Sequence, residues 1–122
     1  MKYVIMFTSD PQQDAAVPAE DLQAEYAAIY QWFVDHDAEI ADGGAELKPV
    51  ETATTAKYGE NGPVVVDGPF SEAKEVVGGF SIIDVPDMDA AIALVKTWPM
   101  LARPGTAVEI RPMVTDYSQF ES

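Results

Sequence analysis

The sequence predicts one α+β domain, in which an antiparallel sheet carries helices on a single face. Three observations point there. Lys2–Thr8 is rich in β-forming residues, and two further apolar runs, Val64–Val66 and Phe80–Val85, stand next to glycines. Between the first run and the other two lies a stretch whose apolar residues recur at helical spacing. A second, shorter helical stretch follows Phe80–Val85. The order strand, helix, two or more strands, helix, strand is βαββαβ, the split βαβ arrangement, here with a hairpin inserted.

Each element has a local reason. Lys2–Thr8 alternates loosely and reads as a central strand, followed by a polar loop from Ser9 to Val17. Pro18 and Ala19 open the long helix, with Glu20 and Asp21 at its positive end. Leu22, Tyr26, Ile29, Phe33 and Ile40 form one apolar stripe, and Asp42, Gly43 and Gly44 are expected to end the helix. Leu47, Val50 and the run Thr52–Tyr58 suggest short twisted strands. Gly59-Glu60-Asn61-Gly62 then returns the chain as a hairpin into Val64–Val66. Ser71–Val77 is expected to make a helical turn closed by Gly78 and Gly79. Asp87 caps a short helix over Met88–Trp98, with Ala91, Val95 and Trp98 facing inward, and Pro99 stops it. Ala107–Val114 is the last strand, and residues 116–122 form a tail.

Length and composition bound the partners. With 122 residues, 48% of them hydrophobic, the chain builds one real core and no second domain. The absence of cysteine excludes disulfides, thiolate catalysis and cysteine metal sites. The apolar start, Met1 to Phe7, is far too short to span a membrane, and a cytoplasmic protein is the expectation. A formal charge of −14, spread along the chain, opposes nucleic acid and anionic membranes and gives a solubilising surface. Tyr3, Ile5, Phe80, Ile82, Val108 and Ile110 are expected on an open sheet face, an apolar patch that pairing with a second copy would cover. A homodimer is the expected assembly.

The densest local signal is Asp67-Gly-Pro-Phe, followed by Ser71-Glu-Ala-Lys-Glu and then Gly78-Gly79-Phe80. Gly68 and Pro69 force a sharp turn, and Phe70 needs a place to be buried. Together with Thr52-Ala-Thr-Thr upstream and Val108-Glu-Ile-Arg-Pro near the end, this pattern resembles the signature of the DGPF subgroup of YCII-related proteins. The likeness covers nearly the whole chain. It implies a ferredoxin-like fold of the dimeric α/β-barrel type and a site at the Asp67 turn, and leaves the reaction undefined.

Asp67 leads the candidate catalytic residues. A carboxylate at a strand end beside Phe70 suits a general acid or base, while the structural alternative is that it accepts hydrogen bonds from the turn it opens. Glu72 and Lys74 come next. With Glu75 they share a short charged turn, able to bind a polar substrate group or to form a solvated salt bridge. The candidate ligand-binding residues are Gly68, Pro69 and Phe70 of the turn, Tyr30 on the helix and Arg111 on the last strand. Tyr26 reads mainly as core. His36, the only histidine, reads as packed at the stripe's edge. The resemblance suggests a His–Asp dyad in some relatives, but Tyr26 to Tyr30 contains no histidine. Arg103, in the loop between Pro99 and Gly105, carries no signal.

Metal-ligand spacing, a phosphate loop, a G-x-S-x-G context and redox-cofactor motifs are missing from the sequence, so no cofactor is expected. Two functions remain. One is a cofactor-independent acid–base enzyme acting on a small polar metabolite, with Asp67 as proton carrier. The other is a non-catalytic dimeric ligand-binding or regulatory module, which the resemblance links to genes for alternative sigma factors.

Overall fold

The computed structural model describes residues 1–69 and 75–118. In chain order it begins with β1 (Lys2–Ser9), α1 (Pro11–Ala15), α2 (Ala19–Asp35) and β2 (Ile40–Glu46). There follow β3 (Thr54–Lys57), β4 (Val64–Asp67), β5 (Val76–Asp84), α3 (Met88–Val95) and β6 (Ala107–Pro112). The four-stranded sheet runs β2-β5-β1-β6, all antiparallel, so the β-rich start does lie inside it. β3 and β4 form a separate two-stranded hairpin between β2 and β5, the insertion expected from the glycines after Lys57. This is the ferredoxin-like βαββαβ order.

α2 and α3 cover one face. Tyr3, Ile5 and Ile83 of the sheet are buried with Trp32 of α2 and with Ala91, Leu94 and Val95 of α3. Trp98, just past α3, closes the core as its sequence position suggested. Asp87 caps α3, its carboxylate accepting from the Ala90 N–H at 2.9 Å. Thr97 locks the far end: its hydroxyl donates to the Leu94 carbonyl and accepts from Trp32 Nε1 at 2.8 Å.

The sheet parity corrects the expected apolar face. Residues directly opposite in an antiparallel pair share a face. Register sets Tyr3 against Ile83, and Ile5 against both Ser81 and Ile110, so Tyr3, Ile5, Val108 and Ile110 face the helices. Phe80 pairs with Met6 and Ile82 with Val4, which puts these four on the open side. Pattern alone identifies each strand's two faces but not which faces align across strands.

Element boundaries also differ: α3 ends at Val95 rather than Trp98, and β6 at Pro112 rather than Val114. α2 ends at Asp35 with His36 as its cap, and Ile40 starts β2, so Asp42, Gly43 and Gly44 lie in a strand. Ile40 misled because it reaches the same core from the sheet, paired with Ile83. The polar loop contains helix α1, whose start was written in Asp10-Pro11: the Asp10 carboxylate accepts from the Gln12 N–H at 3.0 Å. Gly78 and Gly79 do not close a helical turn but lie within β5, as do Val76 and Val77. The rest of that expected turn, from Ser71 to Lys74, lies outside the described residues.

The hairpin contrasts with the core. Val64, Val65 and Val66 are exposed on β4, and Tyr58 is 86% exposed. In urea denaturation, Trp98→Ala should therefore lose about 3–5 kcal/mol, as deletion of a buried indole does. Val65→Ala should stay within about 0.5 kcal/mol of the parent.

Candidate functional site

A pocket of about 410 Å³ opens between α2, the sheet and the segment that follows α3. Its apolar wall comes from Phe7 of β1, Leu22, Ile29 and Phe33 of α2, and Trp98. The Phe7 and Trp98 rings stack at 4.2 Å between centroids, and Phe33 meets Trp98 edge-on at 6.1 Å. The helical stripe read from the sequence thus does double duty. Its lower part packs the core, while Leu22 and Tyr26 remain substantially exposed toward the opening.

Polar groups gather at one end. Arg103 places Nη2 2.6 Å from Asp14 Oδ1, and Nη1 2.9 Å from Glu25 Oε1. The other Asp14 oxygen accepts from the Ser9 hydroxyl at 2.6 Å. One guanidinium thereby ties α1 to α2 and to the segment after α3. Local geometry holds it there: the Thr106 hydroxyl donates to the Arg103 carbonyl at 2.8 Å, and Gly105 turns the chain with φ +83°. A side chain at Gly105 would crowd Gln13 and the Asp10 Cβ, so the loop packs onto α1 only with glycine there. Arg103 Nε is buried with no hydrogen-bond partner among the described residues.

Tyr26 and Glu46 form the second polar pair, the phenol donating to Glu46 Oε1 at 2.8 Å. This hydrogen bond holds the Tyr26 pKa above its ordinary value of 10.0, and repulsion from the Glu46 charge, burial and the Glu25 charge add to it. Tyr26 is therefore a standing donor, and Glu46 the acceptor beside it.

The described residues chosen from the sequence lie in three places: Asp67, Gly68 and Pro69 at the end of β4, Tyr30 on α2 and Arg111 on β6. Asp67 ends β4 opposite Thr54, on the hairpin, and is not among the walls of the pocket. No described residue hydrogen-bonds its carboxylate. Instead the turn is held by backbone and hydroxyl groups: the Gly68 N–H donates to the Ala53 carbonyl at 2.8 Å, and the Gly68 carbonyl accepts from the Thr55 hydroxyl at 2.7 Å. Gly68 has φ +103°, the freedom the turn demanded, and Pro69 follows it. Phe70, Glu72 and Lys74 lie outside the described residues. Tyr30, 72% exposed, lines a shallower depression one turn along α2. Arg111 lies on the open face of the sheet, far round from the pocket, with Nε 2.6 Å from Glu109 Oε2. His36 is packed beside Trp32, with Nε2 3.4 Å from the Thr97 hydroxyl. Among the described residues no cluster of carboxylates and imidazole could hold a metal ion.

Sequence reasoning missed Arg103, Asp14, Glu25 and Glu46. Arg103 had a faint signal: it is one of only two arginines in a chain of 21 acidic residues, and it is followed by Pro-Gly. The three carboxylates had none, because many acidic residues surround them in the sequence.

The Tyr26 pair makes a prediction for alkaline pH. A phenol with a raised folded pKa contributes stability that is full below pH 10.0 and is lost as pH rises through the folded value. Wild type should lose stability relative to Tyr26→Phe as pH climbs past that point. In Glu46→Gln the phenol should ionise earlier, seen as earlier phenolate absorbance in a spectrophotometric titration.

Comparison with known proteins follows the fold. An uncharacterised protein of Rhizobium meliloti (strain 1021) is 28% identical over 117 residues, covering 93% of this chain and 92% of the relative. A solved structure of 5-chloro-2-hydroxyhydroquinone dehydrochlorinase from Burkholderia phenoliruptrix AC1100, in complex with 2,5-dihydroxybenzoquinone, aligns over the full length of both chains. Its identity is 15% and its TM-score 0.48. The model of the YCII-related domain matches residues 1–114, through β6 and the sheet's last pairing. With that match spanning every element described above, the chain belongs to the YCII-related domain family.

Proposed function

We propose that this YCII-related domain binds a compact polar metabolite with a ring-sized apolar part in the pocket beside α2. We further propose that it acts on that metabolite by proton transfer. The observation that carries this reading is the pocket itself: aromatic walls at one side and, at the other, a hydrogen-bonded phenol and carboxylate next to a paired guanidinium. Phe7, Phe33 and Trp98 offer an apolar wall to a ring. Tyr26 donates, and Glu46 can accept a proton from a bound hydroxyl or an acidic C–H.

Asp67 is the proton carrier of a competing placement at the hairpin. Its support is a carboxylate with no hydrogen bond from any described residue, beside a turn that other groups already hold. The two placements call for different residues and can be told apart.

The assembly proposed is a homodimer. Val4, Met6, Phe80 and Ile82 give the open face of the sheet an apolar centre, and a second copy would cover it. Sedimentation at micromolar concentration should give twice the mass of the chain. A stable monomer would remove this part of the proposal.

A thermal-shift screen of polar ring compounds tests the site. A ligand at about a hundred times its Kd adds about 2.7 kcal/mol and raises the melting midpoint by several degrees. The gain should survive Asp67→Asn and fall in Tyr26→Phe and Glu46→Gln. The reverse pattern would move the site to the hairpin. Any hit is then assayed for turnover, and binding without turnover would make the domain a ligand-binding module rather than an enzyme.

A further inference from the structure

An arginine in a pocket wall ordinarily suggests an anionic ligand, but here the surrounding charges argue the opposite. Arg103 is already held by Asp14 and Glu25 at 2.6 and 2.9 Å, and its Nε is buried. An incoming anion would have to compete with two carboxylates that are part of the protein. Glu46, by contrast, meets no cation among the described residues and only the Tyr26 hydroxyl. Among the described residues, the charged groups lining the pocket are three carboxylates (Asp14, Glu25 and Glu46) and one guanidinium. Glu25, Tyr26 and Glu46 all line the same opening.

The aromatic wall completes the case. Phe7 and Phe33, both only partly buried, line the apolar side, and an aromatic ring attracts a desolvated cation at an open face. Building on the pocket reading above, we propose that its ligand is an organic cation: a compact ring bearing an ammonium group, held between the Glu46 carboxylate and the aromatic wall. A ring with a carboxylate in the same position would face Glu46 and be rejected. The same ring with a neutral hydroxyl would keep the apolar contact and lose the charge attraction.

Isothermal titration with three matched probes, benzylammonium, benzyl alcohol and benzoate, tests this on wild type and Glu46→Gln. Measurement at about 0.15 M salt screens the overall charge of the chain to within a Debye length of about 8 Å. Benzylammonium should bind at least about tenfold more tightly than benzyl alcohol, with benzoate weakest. In Glu46→Gln that margin should shrink several-fold, because the variant should cost benzylammonium more affinity than it costs benzyl alcohol. If benzyl alcohol or benzoate binds as well as the amine, the cation proposal falls and the pocket reading stands. A margin unchanged in Glu46→Gln would also overturn it, because the attraction would then come from overall charge. If no ring compound of any charge binds, both readings fail.

Discussion

The stack of Trp98 on Phe7 is the contact on which the rest of this molecule depends. It joins the sheet to the segment after α3, and Trp32 and Phe33 then pack α2 against the same indole, edge-on at 5.0 and 6.1 Å. The sheet, α2 and the segment after α3 thus converge on one side chain. The pocket opens beside this aromatic cluster. Core and candidate site are continuous here, with Phe7, Phe33 and Trp98 serving both.

Much of the fold was legible in the sequence because it rests on local chemistry. The β-rich start, the proline-led α2, the Asp87 cap and the glycine-bounded hairpin all carry their instructions within a few residues. What could not be read was long-range. Ile40 has the right spacing for the helix stripe and the right character for a strand, and only its pairing with Ile83 decides between them. The alignment of faces between β1 and β5 depends on register, which no single strand encodes. The candidate site was legible in its apolar half, through the stripe of α2, and illegible in its charged half. Asp14, Glu25 and Arg103 come from three separate segments, and nothing in the sequence sets the two carboxylates apart from their many acidic neighbours.

The family-like segments acquire a physical meaning together. Thr52-Ala-Thr-Thr and Asp67-Gly lie far apart in the sequence, yet Ala53 and Thr55 supply the groups that hold the Gly68 turn. They are two halves of one hydrogen-bonded unit at the base of the hairpin. A change in either half acts on the other, whether or not the Asp67 carboxylate has a chemical task.

Strand β2 has a further consequence. It is an edge of the sheet, and its pairing with β5 slips twice, between Ile40 and Asp42 and again before Ala45. The opposite edge, β6, carries the charged pair Glu109 and Arg111 and ends at Pro112, which has no N–H to offer. Open strand edges are templates for runaway fibre growth, and irregular pairing, charge and proline are the devices that blunt them. Any association of this sheet with another copy is thereby steered toward its face and away from end-on polymerisation.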